Sequence, residues 1–351
     1  MNGGVEMLPH IELTGAYVEI INRCNQKCAY CYNPDNESRL ATGELIGLLQ
    51  FLNRGSTLVL SGGEPTLHDG IASIIEETGK SFINTEIITN GTVPLAKECL
   101  NQIVKWDTAI QLTFDSSDPH ENSATRGEGS FEKMLLFVER ARCAGWKGRL
   151  IIRVNQFVGS SGRIPGLLKL AERLHADLMA ISTVQPSGRG NCFDACFGSI
   201  DEAEDYLEKI ELMYANEMKM SGFPIIIDRC GEKGCPFSSK KIDVLSVTPR
   251  IDSRGNVFPC QGFQAPEFII GNIRQHDIQK IVTSEKMRDF IDLMKLRMRY
   301  INECQQCVFQ RMCAKGCPGK AYSYTKNIFS HGVSCRKIRT SALSGLKNRT
   351  T

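Results

Sequence analysis

The chain has 351 residues and a formal net charge of +3, with 42% hydrophobic and 23% charged residues. These values indicate a folded protein of about two domains, and so small a charge gives no support for a nucleic-acid partner. No apolar run reaches the length of a membrane span, and the N-terminus does not have the order of a signal peptide. We therefore expect a cytoplasmic protein with no nucleic-acid or membrane partner.

Fifteen cysteines accompany only six histidines. In a reducing compartment, clustered cysteines more often bind metal or perform redox work than form disulfides. Sites rich in thiolate and poor in imidazole favour iron–sulfur clusters or all-cysteine zinc.

Up to about residue 200, short β-branched runs alternate with amphipathic stretches. The predicted strands cover 17–22, 57–61, 85–89, 109–114, 150–157 and 178–185, and the predicted helices lie near 42–53, 70–80, 94–104, 130–144 and 163–175. This βα repetition predicts an α/β fold with a parallel sheet. Six units suit either an open doubly wound sheet or a partial (β/α)6 barrel of the TIM type. Both bind ligands at the C-terminal ends of their strands.

The pattern changes after residue 200, and we predict five segments. They are an N-terminal segment (1–16), the barrel (17–200), a helical linker (201–229), a small cysteine-rich α+β domain (230–335) and a basic tail (336–351). Within the cysteine-rich domain, a hairpin is predicted to turn at Ser253–Gly255.

Three cysteines, Cys24, Cys28 and Cys31, follow the first predicted strand directly. Three thiolates on a four-iron cluster leave one iron open to a ligand that is not protein, whereas a structural site closes all its positions. A zinc site, or a cluster completed by a distant cysteine, is the alternative. "SGGEP" (Ser61–Pro65) and "ITNG" (Ile88–Gly91) follow the second and third strands, where free backbone groups can bind a polar ligand.

The motifs Cys24-x3-Cys28-x-Tyr30-Cys31 and Gly62-Gly63-Glu64-Pro65 resemble those of the radical S-adenosylmethionine superfamily. The resemblance implies a [4Fe-4S] cluster whose open iron chelates the amino and carboxylate groups of S-adenosylmethionine. Reductive cleavage of that cofactor would release a 5′-deoxyadenosyl radical, which abstracts hydrogen from a substrate.

The same resemblance implies which residues surround the cofactor. Tyr30 would lie near the adenine, and the methionyl amine would be held by Gly62, Gly63 and Glu64, with Pro65 ending the motif. The cavity would be lined by Thr89, Asn90, Thr113 and Asp115. The carboxylate and ribose would be reached by Arg153 and Asn155. Asp115 beginning a turn, and Arg153 as a surface strand charge, are the plainer interpretations.

Other candidates face the substrate. The polar segment 115–131 resembles one that covers the cavity mouth in such enzymes, so His120 and Arg126 are candidates there. Cys192 and Cys196 follow the sixth strand, and a thiol at that point either donates hydrogen to a substrate radical or has no role.

Eight further cysteines lie after residue 227, enough for two sets of four ligands. Zinc could fill both sets. The segment from Gly255 resembles the SPASM domain, an extension of radical enzymes that carries auxiliary [4Fe-4S] clusters, although its upstream cysteine lies farther from Gly255 than is usual. The family pattern implies one auxiliary cluster on Cys230, Cys235, Cys260 and Cys317, and another on Cys304, Cys307, Cys313 and Cys335. Three [4Fe-4S] clusters are then expected in all.

We expect the substrate to be a side chain or α carbon of a ribosomal peptide or protein. The alternative enzyme is one of haem (tetrapyrrole) or quinone-cofactor biosynthesis, with a small-molecule substrate, because "QPSGRG" (Gln185–Gly190) resembles a motif found there. A flavodoxin or ferredoxin would supply electrons. Since sixteen residues precede the first predicted strand, a peptide substrate is expected to need a separate leader-peptide-binding protein or to have no leader. A zinc-stabilised binding protein without catalysis is the rival outside the enzymes.

Overall fold

The computed structural model describes residues 10–33, 36–229, 235–238, 244–310, 313 and 315–335. The strands in this part of the chain are β1 (His10–Leu13), β2 (Gly15–Ile21), β3 (Thr57–Gly62), β4 (Asn84–Thr89), β5 (Ala109–Thr113), β6 (Leu150–Gln156), β7 (Leu178–Thr183), β8 (Ile225–Ile227), β9 (Val244–Val247), β10 (Arg250–Ile251), β11 (Asn256–Phe258) and β12 (Gly271–Asn272). The α-helices are α1 (Thr42–Leu49), α2 (Ile71–Lys80), α3 (Lys97–Lys105), α4 (Pro119–Arg126), α5 (Ser130–Cys143), α6 (Ile164–Arg173), α7 (Ile200–Met213), α8 (Ala215–Met220), α9 (Ile278–Val282), α10 (Glu285–Tyr300), α11 (Asn302–Gln305) and α12 (Pro318–Thr325).

A single large sheet carries the architecture. Its order in the described residues is β12-β11-β10-β2-β3-β4-β5-β6-β7-β8, and every pair from β10 to β8 is parallel. The six predicted strands are thus confirmed as β2 to β7, in consecutive order with helices between them. The two edges, β12 and β8, do not pair with each other, so the barrel is partial.

The sheet extends beyond the six predicted units at both edges. β8 lies in the segment predicted as a linker, and it continues the parallel sheet next to β7. β10, from the cysteine-rich region, pairs in parallel with β2. The predicted hairpin is confirmed, because β10 and β11 are antiparallel around Ser253–Gly255. Chain segments far apart in sequence therefore share one sheet.

The two faces of the barrel strands differ in chemistry. Alternate positions on one face are fully buried and apolar, as a parallel sheet covered by helices requires: Val18, Ile20, Leu58, Leu60, Ile110, Leu112, Ile152, Val154 and Ile181. The register places Glu19 beside Ser61, and Asn155 beside Ser182, on the opposite face. This polar face is where a site can form.

The segment 115–131, predicted as a polar loop or cover, contains helix α4. Asp118 caps the helix by accepting a hydrogen bond from the Glu121 backbone N–H (2.9 Å), and Pro119 occupies its first turn. Gly127 ends it at φ 97°. The sequence contains Asp-Pro, which is typical of a helix start, and a Gly typical of a helix end. The helix was not predicted because the composition of the segment is polar.

Two further observations complete the fold. In the described ranges, no helix is long and apolar enough to cross a bilayer. Cys230 and the basic tail 336–351 lie outside the described residues. The five segment boundaries stay a prediction.

Candidate active site

The three-cysteine loop leaves β2 and is fastened to three other parts of the barrel. The backbone N–H of Gly63, at the end of β3, donates to the Ile21 carbonyl (2.7 Å), and that of Ala29 donates to Thr125 of α4 (2.8 Å). After β7, the Arg189 backbone N–H donates to the Cys31 carbonyl (2.8 Å) and its Nε to that of Cys28 (2.9 Å). Strand ends on both sides therefore hold the loop in place.

The two glycines of "SGGEP" allow this close approach. A Cβ on Gly62, which has φ 130°, would lie 2.1 Å from the Ile21 carbonyl oxygen. A Cβ on Gly63 would lie 2.2 Å and 2.4 Å from the carbonyl oxygens of Asn22 and Arg23. Only glycine permits the β3 end to lie against the start of the cysteine loop.

The Glu64 side chain joins the ends of β3 and β4. It is fully buried, and its carboxylate accepts hydrogen bonds from Thr89 Oγ1 (2.6 Å), the Asn90 N–H (2.7 Å) and Thr66 Oγ1 (2.6 Å). Burial raises the pKa of Glu64, and these hydrogen bonds oppose that shift. Pro65, also buried, begins a short 3₁₀ turn after it. The Glu64 carboxylate therefore positions strand ends, in addition to any contact with the cofactor.

The Asn90 side chain links the end of β4 to the cysteine loop. Its Nδ2 donates to Asn25 Oδ1 (2.8 Å) and lies 3.7 Å from Cys24 Sγ, while its Oδ1 accepts from Thr92. The structure thus brings together the ends of the first three barrel strands, as the sequence predicts from the position of each motif.

The three thiols interact electrostatically. Burial, with the negative charges of Glu64, Cys28 and Cys31 acting in the same direction, raises the pKa of Cys24 to about 11. A bound cation is needed to hold neighbouring thiolates without protons at neutral pH, so this donor set fits an iron–sulfur cluster. Among the residues described, no group of three or more His, Cys, Asp or Glu side chains lies in an arrangement that could hold a metal ion.

Tyr30 belongs to a buried cluster with Asp115 and Arg126. Its hydroxyl donates to Asp115 Oδ1 and Oδ2 (2.5 and 2.7 Å) and accepts from Arg126 Nη1 (3.3 Å). Thr125 Oγ1 also donates to Asp115 Oδ2 (2.6 Å). Burial and the Asp115 charge raise the pKa of Tyr30 well above its ordinary value. Asp115 is fully buried, so it does more than begin a turn.

Arg126 is buried in this cluster as a cation. Although burial opposes the charge, interactions with Cys28, Tyr30 and Asp115 raise its pKa. Its Nε is buried and has no hydrogen-bond partner in the described structure. A donor of this kind, next to the cysteine loop, fits an anionic group there.

Arg153 and Asn155 lie side by side on the polar face. Arg153 Nη1 pairs with Asp228 Oδ2 (2.9 Å), and Arg153 Nη2 donates to Ser182 Oγ (2.7 Å). Asn155 Nδ2 lies 3.5 Å from the Tyr30 hydroxyl, which links the two groups. The register sets the buried Thr113 beside Arg153. Arg153 is therefore a partly buried charge of the site and not a surface strand charge.

The substrate-side candidates do not converge. His120 is exposed on α4, whereas Arg126 lies on the buried face of the same helix. Cys192 is exposed. Cys196 is half-buried, with Sγ 3.6 Å from the Val184 carbonyl oxygen at the end of β7. Tyr324 of α12 reaches the same carbonyl (3.5 Å).

The C-terminal cysteines lie in two neighbouring groups. A Cβ on Gly262 would lie 3.6 Å from Cys260 Sγ and 3.7 Å from Cys317 Sγ, so these two sulfurs flank the same point. Burial raises the pKa of Cys304, and the charges of Cys335, Cys313 and Cys307 act in the same direction. The division of these cysteines into two ligand sets stays a prediction. Cys235 is described, and Cys230 is not.

Sequence reasoning missed two residues that hold the site. Arg189 lies in the noted segment "QPSGRG", but its contact with the cysteine loop did not follow from the motif. The second is Glu19, which is buried in β2. Its carboxylate accepts a hydrogen bond from the Tyr32 hydroxyl (3.0 Å) and forms an ion pair with Arg250 (2.9 Å). A charge inside the apolar run "YVEII" was the signal for it, because a buried charge needs a partner.

Comparisons with known proteins agree with this geometry. Residues 18–160 match the family model of the radical SAM superfamily, and residues 245–308 match that of the SPASM iron–sulfur cluster-binding domain. The AdoMet-dependent heme synthase of Methanosarcina barkeri is 24% identical, over 90% of this chain and 94% of that protein. The antilisterial bacteriocin subtilosin biosynthesis protein AlbA of Bacillus subtilis is 25% identical, over 90% of this chain and 70% of that protein.

Among solved structures, SuiB of Streptococcus suis has the same fold. Its complex with S-adenosylmethionine gives a TM-score of 0.73, and its complex with the precursor peptide SuiA gives 0.71. Both are 14% identical to this chain. Each match covers 92% of this chain, and it covers 76% of the SuiB chain in the first complex and 75% in the second. The likeness confirms the predicted α/β partial barrel.

Proposed function

This chain belongs to the radical SAM superfamily and carries a SPASM iron–sulfur domain, and from that premise we propose that it abstracts hydrogen from a side chain or α carbon of a peptide or protein substrate. It is an enzyme, which sets aside the zinc-stabilised binding protein. The observation that carries the proposal is the convergence of three thiols, the Glu64-bound strand ends and the Tyr30–Asp115 cluster at one edge of a parallel sheet.

In this proposal Cys24, Cys28 and Cys31 hold the [4Fe-4S] cluster that binds S-adenosylmethionine. When bound, the cluster and S-adenosylmethionine together supply the 5′-deoxyadenosyl radical. The backbone of Gly62 and Gly63 offers polar groups to the methionyl amine. Glu64 and Asn90 keep the neighbouring strand ends and the cysteine loop in register.

The polar face of the barrel orients the remainder of the cofactor. Tyr30 is fixed by Asp115 and Arg126, so its ring cannot swing away from the adenine it is proposed to contact. Arg153, with Asn155 beside it, is proposed to bind the carboxylate and ribose while its guanidinium also pairs with Asp228. Thr89 and Thr113 line the walls between them.

Cys235, Cys260 and Cys317, with Cys230, are proposed to hold one auxiliary cluster. Cys304, Cys307, Cys313 and Cys335 are proposed to hold the other, giving three [4Fe-4S] clusters in the chain. Full ligation by cysteine leaves these clusters to carry electrons or to shape the substrate pocket.

A peptide substrate is supported by two of the similar proteins. AlbA takes part in bacteriocin biosynthesis, and SuiB was solved with a precursor peptide. A flavodoxin or ferredoxin as reductant, a separate leader-peptide-binding protein and a cytoplasmic location complete this proposal. Arg126, in the buried cluster with Tyr30 and Asp115, and Cys196 as hydrogen donor are its substrate-side candidates.

Haem or quinone-cofactor biosynthesis is the second candidate. The heme synthase of Methanosarcina barkeri matches along 94% of its length, more than AlbA does. The segment "QPSGRG" also contacts the cysteine loop directly through Arg189. Substrate trials must therefore include tetrapyrroles as well as peptides.

The test begins with anaerobically reconstituted protein, dithionite and S-adenosylmethionine. We expect iron and sulfide in the protein and formation of 5′-deoxyadenosine, both reduced in Cys24→Ala/Cys28→Ala/Cys31→Ala. Cys143→Ala, at the exposed end of α5, is the matched control. Zinc-loaded protein that makes no 5′-deoxyadenosine would refute the proposal. Substrates are then identified by faster 5′-deoxyadenosine formation and a mass change in the peptide or in the tetrapyrrole.

A further inference from the structure

A buried arginine contacts the backbone near the C-terminal cysteines. Arg297, on α10, is 1% exposed. Its Nε donates to the Ile328 carbonyl (2.8 Å), and its Nη2 donates to the carbonyls of Ser330 (2.8 Å) and Lys315 (3.2 Å). The guanidinium thus ties together two chain segments, one just before Cys317 and the other just before Cys335.

These segments carry cysteines of both proposed sets. The Lys315 N–H lies 3.2 Å from Cys313 Sγ, and Cys317 caps α12 two residues later. The segments touch at Gly316 and Gly332, where a Cβ on Gly316 would lie 2.3 Å from the Gly332 carbonyl carbon. Arg297 therefore contacts the backbone that sets the spacing between the two sets.

The charge of Arg297 has no carboxylate partner. Among the described residues no Asp or Glu oxygen lies within 4.0 Å of it, and its buried Nη1 has no hydrogen-bond acceptor. A buried cation of this kind is costly unless an anion compensates it. Burial lowers the pKa of Arg297, and the charges that oppose this shift belong to cysteines of both sets: Cys317, Cys235, Cys304 and Cys313.

We propose that Arg297 is a positioning residue and shared counter-ion for both auxiliary centres, and that its charge raises their reduction potentials together. The inference rests on the proposed iron–sulfur ligation of the two sets. An iron–sulfur cluster ligated by four thiolates is anionic and gains negative charge on reduction, so a nearby fixed cation favours the reduced form. One guanidinium close to both centres would couple their potentials to a single residue.

The test uses the full chain with Cys24→Ala/Cys28→Ala/Cys31→Ala, so that all remaining iron belongs to the auxiliary centres. Arg297→Gln and Arg297→Lys are compared in this background, and the measurements are iron and sulfide per chain and potentials from titrations followed by electron paramagnetic resonance. The matched controls are Arg142→Gln and Arg142→Lys. Arg142 also donates to two carbonyls, those of Trp146 and Gly148, but lies in the barrel on α5.

Arg297→Gln is expected to make reduction of both centres about tenfold less favourable, which is about 59 mV for a one-electron couple. Arg297→Lys keeps the charge and should shift both by less, and the Arg142 variants should shift neither. If Arg297→Gln keeps its full iron content and the potentials of both centres are unchanged, the proposal is overturned. A shift in the potential of one centre alone would also overturn it. If Arg297→Gln loses its iron, a second neutral variant, Arg297→Met, decides: a downward shift of both potentials supports the proposal, and no shift refutes it. Zinc in place of iron in the parent background would instead refute the auxiliary clusters themselves.

Discussion

The ion pair between Glu19 and Arg250 should be the most stability-determining contact between the barrel and the cysteine-rich region. The two residues lie on paired strands, β2 and β10, and are 1% and 5% exposed. Arg250 donates from Nε and Nη2 to the two carboxylate oxygens, each at 2.9 Å. Tyr32, which follows the last cysteine of the loop, also donates to Glu19 (3.0 Å).

Glu19→Met removes one charge and leaves Arg250 buried without its anion. Loss of one partner of a buried pair costs about 3–5 kcal/mol, and we expect the free energy of unfolding to fall by that amount. Arg250→Met should cost about as much for the same reason. In Glu19→Met/Arg250→Met no charge remains buried, so most of the loss should be recovered.

The assay is urea unfolding of the reconstituted protein, followed by tryptophan fluorescence. The two tryptophans, Trp106 and Trp146, lie in the barrel, so the signal reports the unit that the ion pair supports. Asp69→Asn is the control, because it breaks the exposed Arg39–Asp69 pair and should change stability by no more than about 1 kcal/mol.

The thermodynamic cycle of these variants can refute the reasoning. A coupling energy of at least about 2 kcal/mol between the two positions is expected for a buried pair in direct contact. If the single variants lose less than the Asp69 control, or if their losses simply add in the double variant, then the pair does not hold the two regions together.

Three further predictions concern the cysteine loop. Gly63→Ala would place a Cβ 2.2 Å from a carbonyl oxygen of the loop and should slow 5′-deoxyadenosine formation by about tenfold or more; Gly47→Ala, with no atom within 4 Å, should leave that rate unchanged. Tyr30→Phe removes one of the two hydroxyl groups that donate to buried Asp115, and it should lower the free energy of unfolding by about 1–3 kcal/mol. Calorimetry should also show weaker S-adenosylmethionine binding, and unaltered stability would mean that the hydroxyl is dispensable. Arg189→Ala loses the bond to the Cys28 carbonyl and should release iron faster to a chelator, with Arg189→Lys intermediate; equal release rates in all three proteins would show that the loop is held elsewhere.

Local pattern determined much of the fold. The strands β2 to β7 were predictable because β-branched runs alternate with amphipathic stretches, and a buried parallel sheet requires both. Helix α4 was not, because polar surface helices lack an apolar period. The sequence did contain its cap, Asp118, and its terminator, Gly127, and these short signals were outweighed by composition.

The site divides in the same way. Spacing along the chain was enough to predict that Cys24, Cys28 and Cys31 share a loop, and that the glycine and asparagine motifs follow the next two strands. The pairing of Arg250 with Glu19, 231 residues away, and the hydrogen bond from Arg189 to the Cys28 carbonyl, 161 residues away, could be seen only in the folded chain. Those contacts depend on which strands pair and which faces are buried. A buried charge is costly without a partner, and the residues available as partners are the ones that the folded chain places beside it.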